Sequence, residues 1–125
     1  MENLNIAATK HTPLIQFNTE THILEIRGRS YPENTFEFYE PVMKWLKEYF
    51  ESTSNTTTID FEINYFNSTS SKLFFDMFDL FVDAQENGSK IVINWEYDEE
   101  DEDSEEAGEG FQEDFDSLEI NLVPK

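Results

Sequence analysis

The side chains most able to do chemistry lie together in one short stretch, Asn67-Ser68-Thr69-Ser70-Ser71-Lys72. Four consecutive hydroxyls stand between an apolar–polar alternation that ends at Phe66 and a helical periodicity that begins at Leu73. Ser, Thr and Asn are favoured helix N-caps because their side chains accept hydrogen bonds from free backbone N–H groups. Capping uses one or two of these residues and leaves the others over. A hydroxyl at a helix start also makes a good phosphoacceptor, since free N–H groups and the positive end of the macrodipole tolerate phosphate. Phosphorylation would add about 1.5 to 2 negative charges. A partner lying across the turn would meet that charge and a larger surface, so binding could be exchanged without refolding. The glycines of a phosphate-binding loop, G-x-x-x-x-G-K, are absent.

Other chemistry-bearing groups read less sharply. Asp76, Asp79 and Asp83 follow at spacings of three and four and so share one side of a helix. Such a stripe is commonly a solvated face. Read functionally, it would serve a carboxylate- or metal-dependent hydrolase, or flank the hydroxyl turn as part of a partner interface. Lys72 is either a phosphate neighbour or the polar face of a first turn. The run Asp98 to Asp103, continued by Glu105 and Glu106, has no glycine until Gly108 and lacks calcium-loop spacing. Over 98–109 it reads as a mobile acidic loop, with weak divalent binding, steering of a basic partner and a nucleic-acid decoy as lesser readings. His11 and His22 have no cysteine nearby and no His-x-x-x-His spacing; Trp45 and Trp95 fall on apolar faces and read as core. No nucleophile elbow, dinucleotide fingerprint or zinc motif occurs. The residues thus nominate no catalytic group, metal ligand or cofactor.

The elements that must hold the hydroxyl turn can be read from the pattern. Leu14–Phe17 and His22–Gly28, separated by Asn18-Thr19-Glu20-Thr21, predict a hairpin. Phe38, Val42, Trp45, Leu46, Tyr49 and Phe50 recur as one helix face between about Thr35 and Glu51. Pro41 within it predicts either a kink or a helix start near Glu40. Ser52 to Thr57 reads as a polar loop. Thr58–Phe66 alternates cleanly as a strand. A second helix over Lys72–Glu86 buries Leu73, Phe74, Met77, Phe78, Phe81 and Ala84, and stops at Asn87-Gly88. Lys90–Tyr97 and Leu118–Val123 are further strands, with a short helix near Glu106–Phe115 between them. Strands alternating with helices predict an α/β fold over residues 1–125, with a mixed sheet of four or five strands covered by two main helices and a short C-terminal one.

A single domain is the expectation for 125 residues with 12 phenylalanines, enough to bury a core. The formal charge of −20 disfavours nucleic acid and anionic membranes as partners. It is uneven: 13 of the 28 acidic residues fall between Glu96 and Asp116, and the rest of the chain carries only −7. The absence of cysteine removes disulfides and thiolate chemistry. No apolar run approaches a membrane span and no signal-peptide pattern opens the chain, so a cytoplasmic protein is expected.

Three stretches together resemble a known family. Ser30-Tyr31-Pro32-Glu33-Asn34, the Trp45 helix, and Tyr65-Phe66-Asn67-Ser68-Thr69-Ser70-Ser71-Lys72 with Asp76-Met77-Phe78-Asp79-Leu80 are similar to the SiaC family of biofilm-regulatory phosphoproteins. Thr12-Pro13 and Trp95-x-Tyr97-Asp98 fit as well, and the resemblance runs from Asn5 to about Phe115. It implies a STAS-like fold and a non-enzymatic partner switch. A Ser/Thr protein kinase would phosphorylate the turn, a PP2C-type phosphatase would reverse it, and the unmodified form would activate a diguanylate cyclase. The resemblance implies Ser68 as acceptor, with Thr69 the second choice, and an interface of Asn67, Ser68, Thr69, Ser70, Ser71, Lys72, Asp76 and Asp79. An anti-sigma-factor-antagonist type of switch with another partner is the alternative.

Overall fold

The computed structural model describes every residue except Ser54, so that part of the expected Ser52–Thr57 loop lies outside the described residues. Its elements are β1 (Leu4–Ile6), β2 (Leu14–Asn18), β3 (Ile23–Ser30), α1 (Thr35–Ser52), β4 (Thr57–Phe66), α2 (Ser68–Glu86), β5 (Ile91–Tyr97), α3 (Glu102–Asp114) and β6 (Glu119–Pro124). One mixed sheet orders the strands β1-β2-β3-β4-β5-β6. The first three are antiparallel. β3 to β6 are parallel neighbours, each joined to the next through a helix. The α/β class with a mixed sheet is as the sequence pattern predicts.

The period-two alternation of the strands sends one set of residues into the core. Ile59, Phe61 and Ile63 of β4 are buried, as are Ile91, Ile93, Trp95 and Tyr97 of β5. All three helices cover this inner face through aromatic contacts. Phe61 meets Phe74 and Phe78 of α2. Trp95 meets Phe111 of α3, and Phe17 meets Trp45 of α1. Burying such rings supplies most of the driving force, at roughly 25 cal/mol per Å² of apolar surface.

The opposite sheet face is polar. There Arg27 pairs with Glu25 (2.9 Å), Glu62 (3.0 Å) and Glu96 (3.1 Å), and Lys125 reaches Glu96 (3.0 Å) and Glu62 (3.2 Å). Burial pushes the Glu96 carboxyl up, but hydrogen bonds from Arg27 and Lys125 outweigh it and hold that carboxyl below its usual range.

Four expectations are corrected. Among the described residues the sheet has six strands, not four or five. The extra strand is β1, three residues long, pairing Leu4 with Phe17 and Ile6 with Ile15. α1 does not start near Glu40: Asn34 caps it by accepting from the Glu37 N–H, and Pro41 sits inside on the exposed side. α2 begins at Ser68, so the hydroxyl cluster is the first turn of the helix and does not precede it. The largest correction concerns 98–109: the helix expected near Glu106–Phe115 is present but begins at Glu102, so most of the expected acidic loop is helix. Asp101 caps α3 by accepting from the Ser104 N–H, and Glu102, Asp103 and Glu105 fill its first turn. Carboxylates there are stabilised by the free N–H groups and the helix dipole. Phe111 and Phe115 then dock against Phe78, and the Trp95 indole donates to the Ser104 carbonyl at 2.9 Å.

Candidate partner-binding site

The hydroxyl turn sits where β4 leaves the sheet and α2 begins. Asn67 stitches it to β3 by donating its backbone N–H to the Ser30 carbonyl (3.1 Å). The Asn67 side chain accepts from the Ser70 N–H (2.9 Å) and from the Thr69 hydroxyl (3.1 Å). Asn67, and none of the four hydroxyls, is therefore the N-cap.

Two of the hydroxyls are committed to neighbouring elements. Thr69 Oγ1 lies 2.8 Å from Thr35 Oγ1 at the start of α1. Ser70 is fully buried and accepts from the Ser30 hydroxyl at 2.8 Å. Ser30 in turn lies 2.6 Å from the Tyr39 hydroxyl. With the Ser30 hydrogen given to Ser70, Tyr39 is the donor in that second bond. Burial pushes the Tyr39 hydroxyl up in pKa, against the weaker opposing effect of Ser30, so it stays protonated and keeps donating. Tyr39, Ser30 and Ser70 thus form a relay that fixes the first turn of α2 against β3 and α1.

Ser68 differs from both. Its side chain is exposed and, among the described residues, enters none of the turn's hydrogen bonds. Ser71 is half-buried, and its N–H closes the first helical bond to the Asn67 carbonyl. Lys72 is exposed, and among the described residues no carboxylate pairs with it.

Beyond the turn, α1 and α2 border a groove of about 1040 Å³. Asp76, Asp79 and Asp83 line its α2 wall, Lys44 and Lys47 with Glu40 and Glu51 its α1 wall, and Leu73, Leu80 and Met43 its apolar lining. Phe36, 65% exposed, stands at the end next to the turn. The expected interface residues therefore separate into three settings. Asn67, Thr69, Ser70 and half-buried Ser71 belong to the structural ties of the turn, Ser68 and Lys72 are free surface, and Asp76 and Asp79 face the groove. Sequence reasoning missed Phe36 and the groove. The available signal was Phe36 itself, an aromatic outside the buried periodicity of α1.

Among the described residues no three His, Asp or Glu side chains are placed to hold a metal ion, so the metal-dependent hydrolase reading finds no supporting geometry. Among them, too, no helix is long and apolar enough to cross a membrane. His22 caps the opposite end of the sheet, with a left-handed backbone (φ 59°) and its Nδ1 2.7 Å from the Tyr49 hydroxyl, in a structural setting.

Comparison with known proteins agrees with this architecture. The profile of the SiaC family regulatory phosphoproteins matches residues 6–125. An uncharacterized protein of Pseudomonas aeruginosa strain UCBPP-PA14 is 32% identical over 114 residues, covering 91% of this chain and 90% of its own length. Apo-SiaC from Pseudomonas aeruginosa superposes with a TM-score of 0.91 at 30% identity, over 98% of this chain and 99% of that one. A chain from the crystal structure of the diguanylate cyclase SiaD in complex with its activator SiaC, also from Pseudomonas aeruginosa, gives a TM-score of 0.92 at 30% identity over 98% and 99%. With a family profile spanning nearly its whole length, the chain belongs to the SiaC family of regulatory phosphoproteins.

Proposed function

We propose that this protein is a non-enzymatic, cytoplasmic partner switch whose unmodified form binds and activates a diguanylate cyclase. The observation that carries the cyclase reading is the full-length likeness to an activator crystallised with such an enzyme. The interface consists of the first turn of α2 and the acidic groove wall that continues from it.

Ser68 is the acceptor. Of the four hydroxyls it is the one that is both exposed and uncommitted, whereas Thr69 is bonded to Asn67 and faces Thr35, and Ser70 is buried. A kinase transfers the γ-phosphoryl group of ATP to Ser68 Oγ, releasing ADP and a proton. A PP2C-type phosphatase hydrolyses the ester to serine and inorganic phosphate. The free N–H groups at the start of α2 accommodate the phosphate without refolding.

The test is a reconstitution with a diguanylate cyclase from the same cell. Adding the unmodified protein should raise cyclic di-GMP formation from GTP, and kinase-treated protein should not. Ser68→Ala should keep activating after kinase treatment, while Thr69→Ala should still be switched off. If no cyclase of that cell responds to the unmodified protein, the cyclase reading falls. If Ser68→Ala is phosphorylated as fully as the wild type, the acceptor assignment falls.

A further inference from the structure

We infer that Lys72 is the group through which the switch acts: free in the unmodified protein to meet a carboxylate of the partner, and captured by the phosphoryl group when Ser68 is modified. This rests on the reading of Ser68 as acceptor.

Ser68 and Lys72 are four residues apart within α2, one turn along the same outward line, and both are exposed. Residues so spaced face one another, and an anion N-terminal to the lysine is the favourable order. Lys72 is the sole cation of α2. Its other potential partner on the helix, Asp76, stands on the C-terminal side in the unfavourable order, and the two do not pair. Asp79 on α2 and Glu37 and Glu40 in the opening turns of α1 are exposed, while the cations Lys44 and Lys47 stand on the α1 wall of the groove and Arg29 is exposed at the end of β3. A lysine left unpaired in a chain with 28 acidic residues is available to an incoming anion. Phosphorylation then does two things at one place. It adds negative charge to a wall already carrying Asp76, Asp79 and Asp83, and it withdraws the one cation that α2 could offer a partner carboxylate.

The experiment installs phosphoserine at position 68 during translation, which bypasses any kinase. The second ionisation of the phosphate is followed by phosphorus NMR in the wild type, Lys72→Gln, Lys72→Arg and, as control, Lys47→Gln. Lys72→Gln should raise the midpoint by roughly 0.15 to 0.4 pH unit, with Lys72→Arg and Lys47→Gln close to wild type. In parallel, unmodified Lys72→Gln should bind the activated cyclase several-fold more weakly than wild type. Equal midpoints in wild type and Lys72→Gln would overturn the capture, and undiminished cyclase binding would overturn the contact. Neither result bears on whether a kinase chooses Ser68, which the Ser68→Ala assay decides separately.

Discussion

The first turns of α2 and α3 are built on one plan and filled with opposite chemistry. In each, a side-chain oxygen at the cap, Asn67 or Asp101, accepts from the N–H of a buried serine three residues on, Ser70 or Ser104. Between and after these shared positions, α2 carries Ser68, Thr69, Ser71 and Lys72 where α3 carries Glu102, Asp103, Glu105 and Glu106. α3 thus fills its N-terminal anion positions permanently with carboxylates. α2 has no acidic residue in its first turn, although the chain as a whole carries −20. A helix start left without fixed charge and lined with hydroxyls can have charge added to it; one already saturated cannot gain much more.

If α3 is positioned by packing and not by its acids, the largest effect should come from its contact with the core. A Cβ added at Gly108 would lie 2.6 Å from both Trp95 and Leu122, whereas one at Gly110 would meet nothing within 4 Å. Gly108→Ala should therefore cost about 1–3 kcal/mol through overpacking. Gly110→Ala should be neutral or gain up to about 1 kcal/mol from helix propensity. Urea unfolding measures both, and equal effects at the two glycines would mean that α3 floats on its charge.

The buried serines separate the turns next. Ser70→Ala removes the acceptor of the buried Ser30 hydroxyl, which keeps only its bond with Tyr39, and should cost about 0.5–1.5 kcal/mol. Among the described residues, the buried Ser104 hydroxyl has no hydrogen-bond partner. Ser104→Ala should accordingly be neutral or stabilising by thermal unfolding, because it removes an unsatisfied group. A matching loss at Ser104 would mean that the two turns use their serines alike.

What could be read from sequence follows the same division. β4 and the buried face of α2 were legible because their periods of two and three-to-four are unbroken. The hydroxyl run was legible as a place of interest, but its internal roles were not. Adjacent Ser68, Thr69 and Ser70 look alike in sequence, and only the approach of Ser30, Thr35 and Tyr39 from other elements tells them apart. α3 is legible from Glu106 on, but its first turn is not, because acid density masks the start of its pattern: Ser104, Gly108, Phe111 and Phe115 recur at spacings of four, three and four, and all are buried. β1 was missed because three residues give too short an alternation, and its pairing partner lies beyond an intervening loop.

Cap deletions give the next smaller effect. Asn67→Ala and Asp101→Ala should each cost about 1 kcal/mol. Asn67 should sit at the upper end, because it also holds the Thr69 hydroxyl. Scanning calorimetry on the pair checks this. A larger loss at Asp101 would show that the charged cap dominates and that the neutral one is incidental.

The smallest effect bears most directly on the switch. Placing a fixed carboxylate in the empty position, Ser68→Asp, should stabilise the protein by about 0.3–1 kcal/mol at low ionic strength. Removing one from the filled position, Glu102→Gln, should cost a few tenths of a kcal/mol, roughly the weight of one charge among several. Ser68→Asn serves as the uncharged control of similar shape. Both charge effects should fade as salt rises towards about 1 M, where screening acts within roughly 3 Å. Lys72→Gln in the Ser68→Asp background should remove part of the gain, since the aspartate and Lys72 are spaced to pair. Should Ser68→Asp prove no more stable than Ser68→Asn, the start of α2 would be indifferent to charge, and a phosphate there would have to act on a partner by bulk alone.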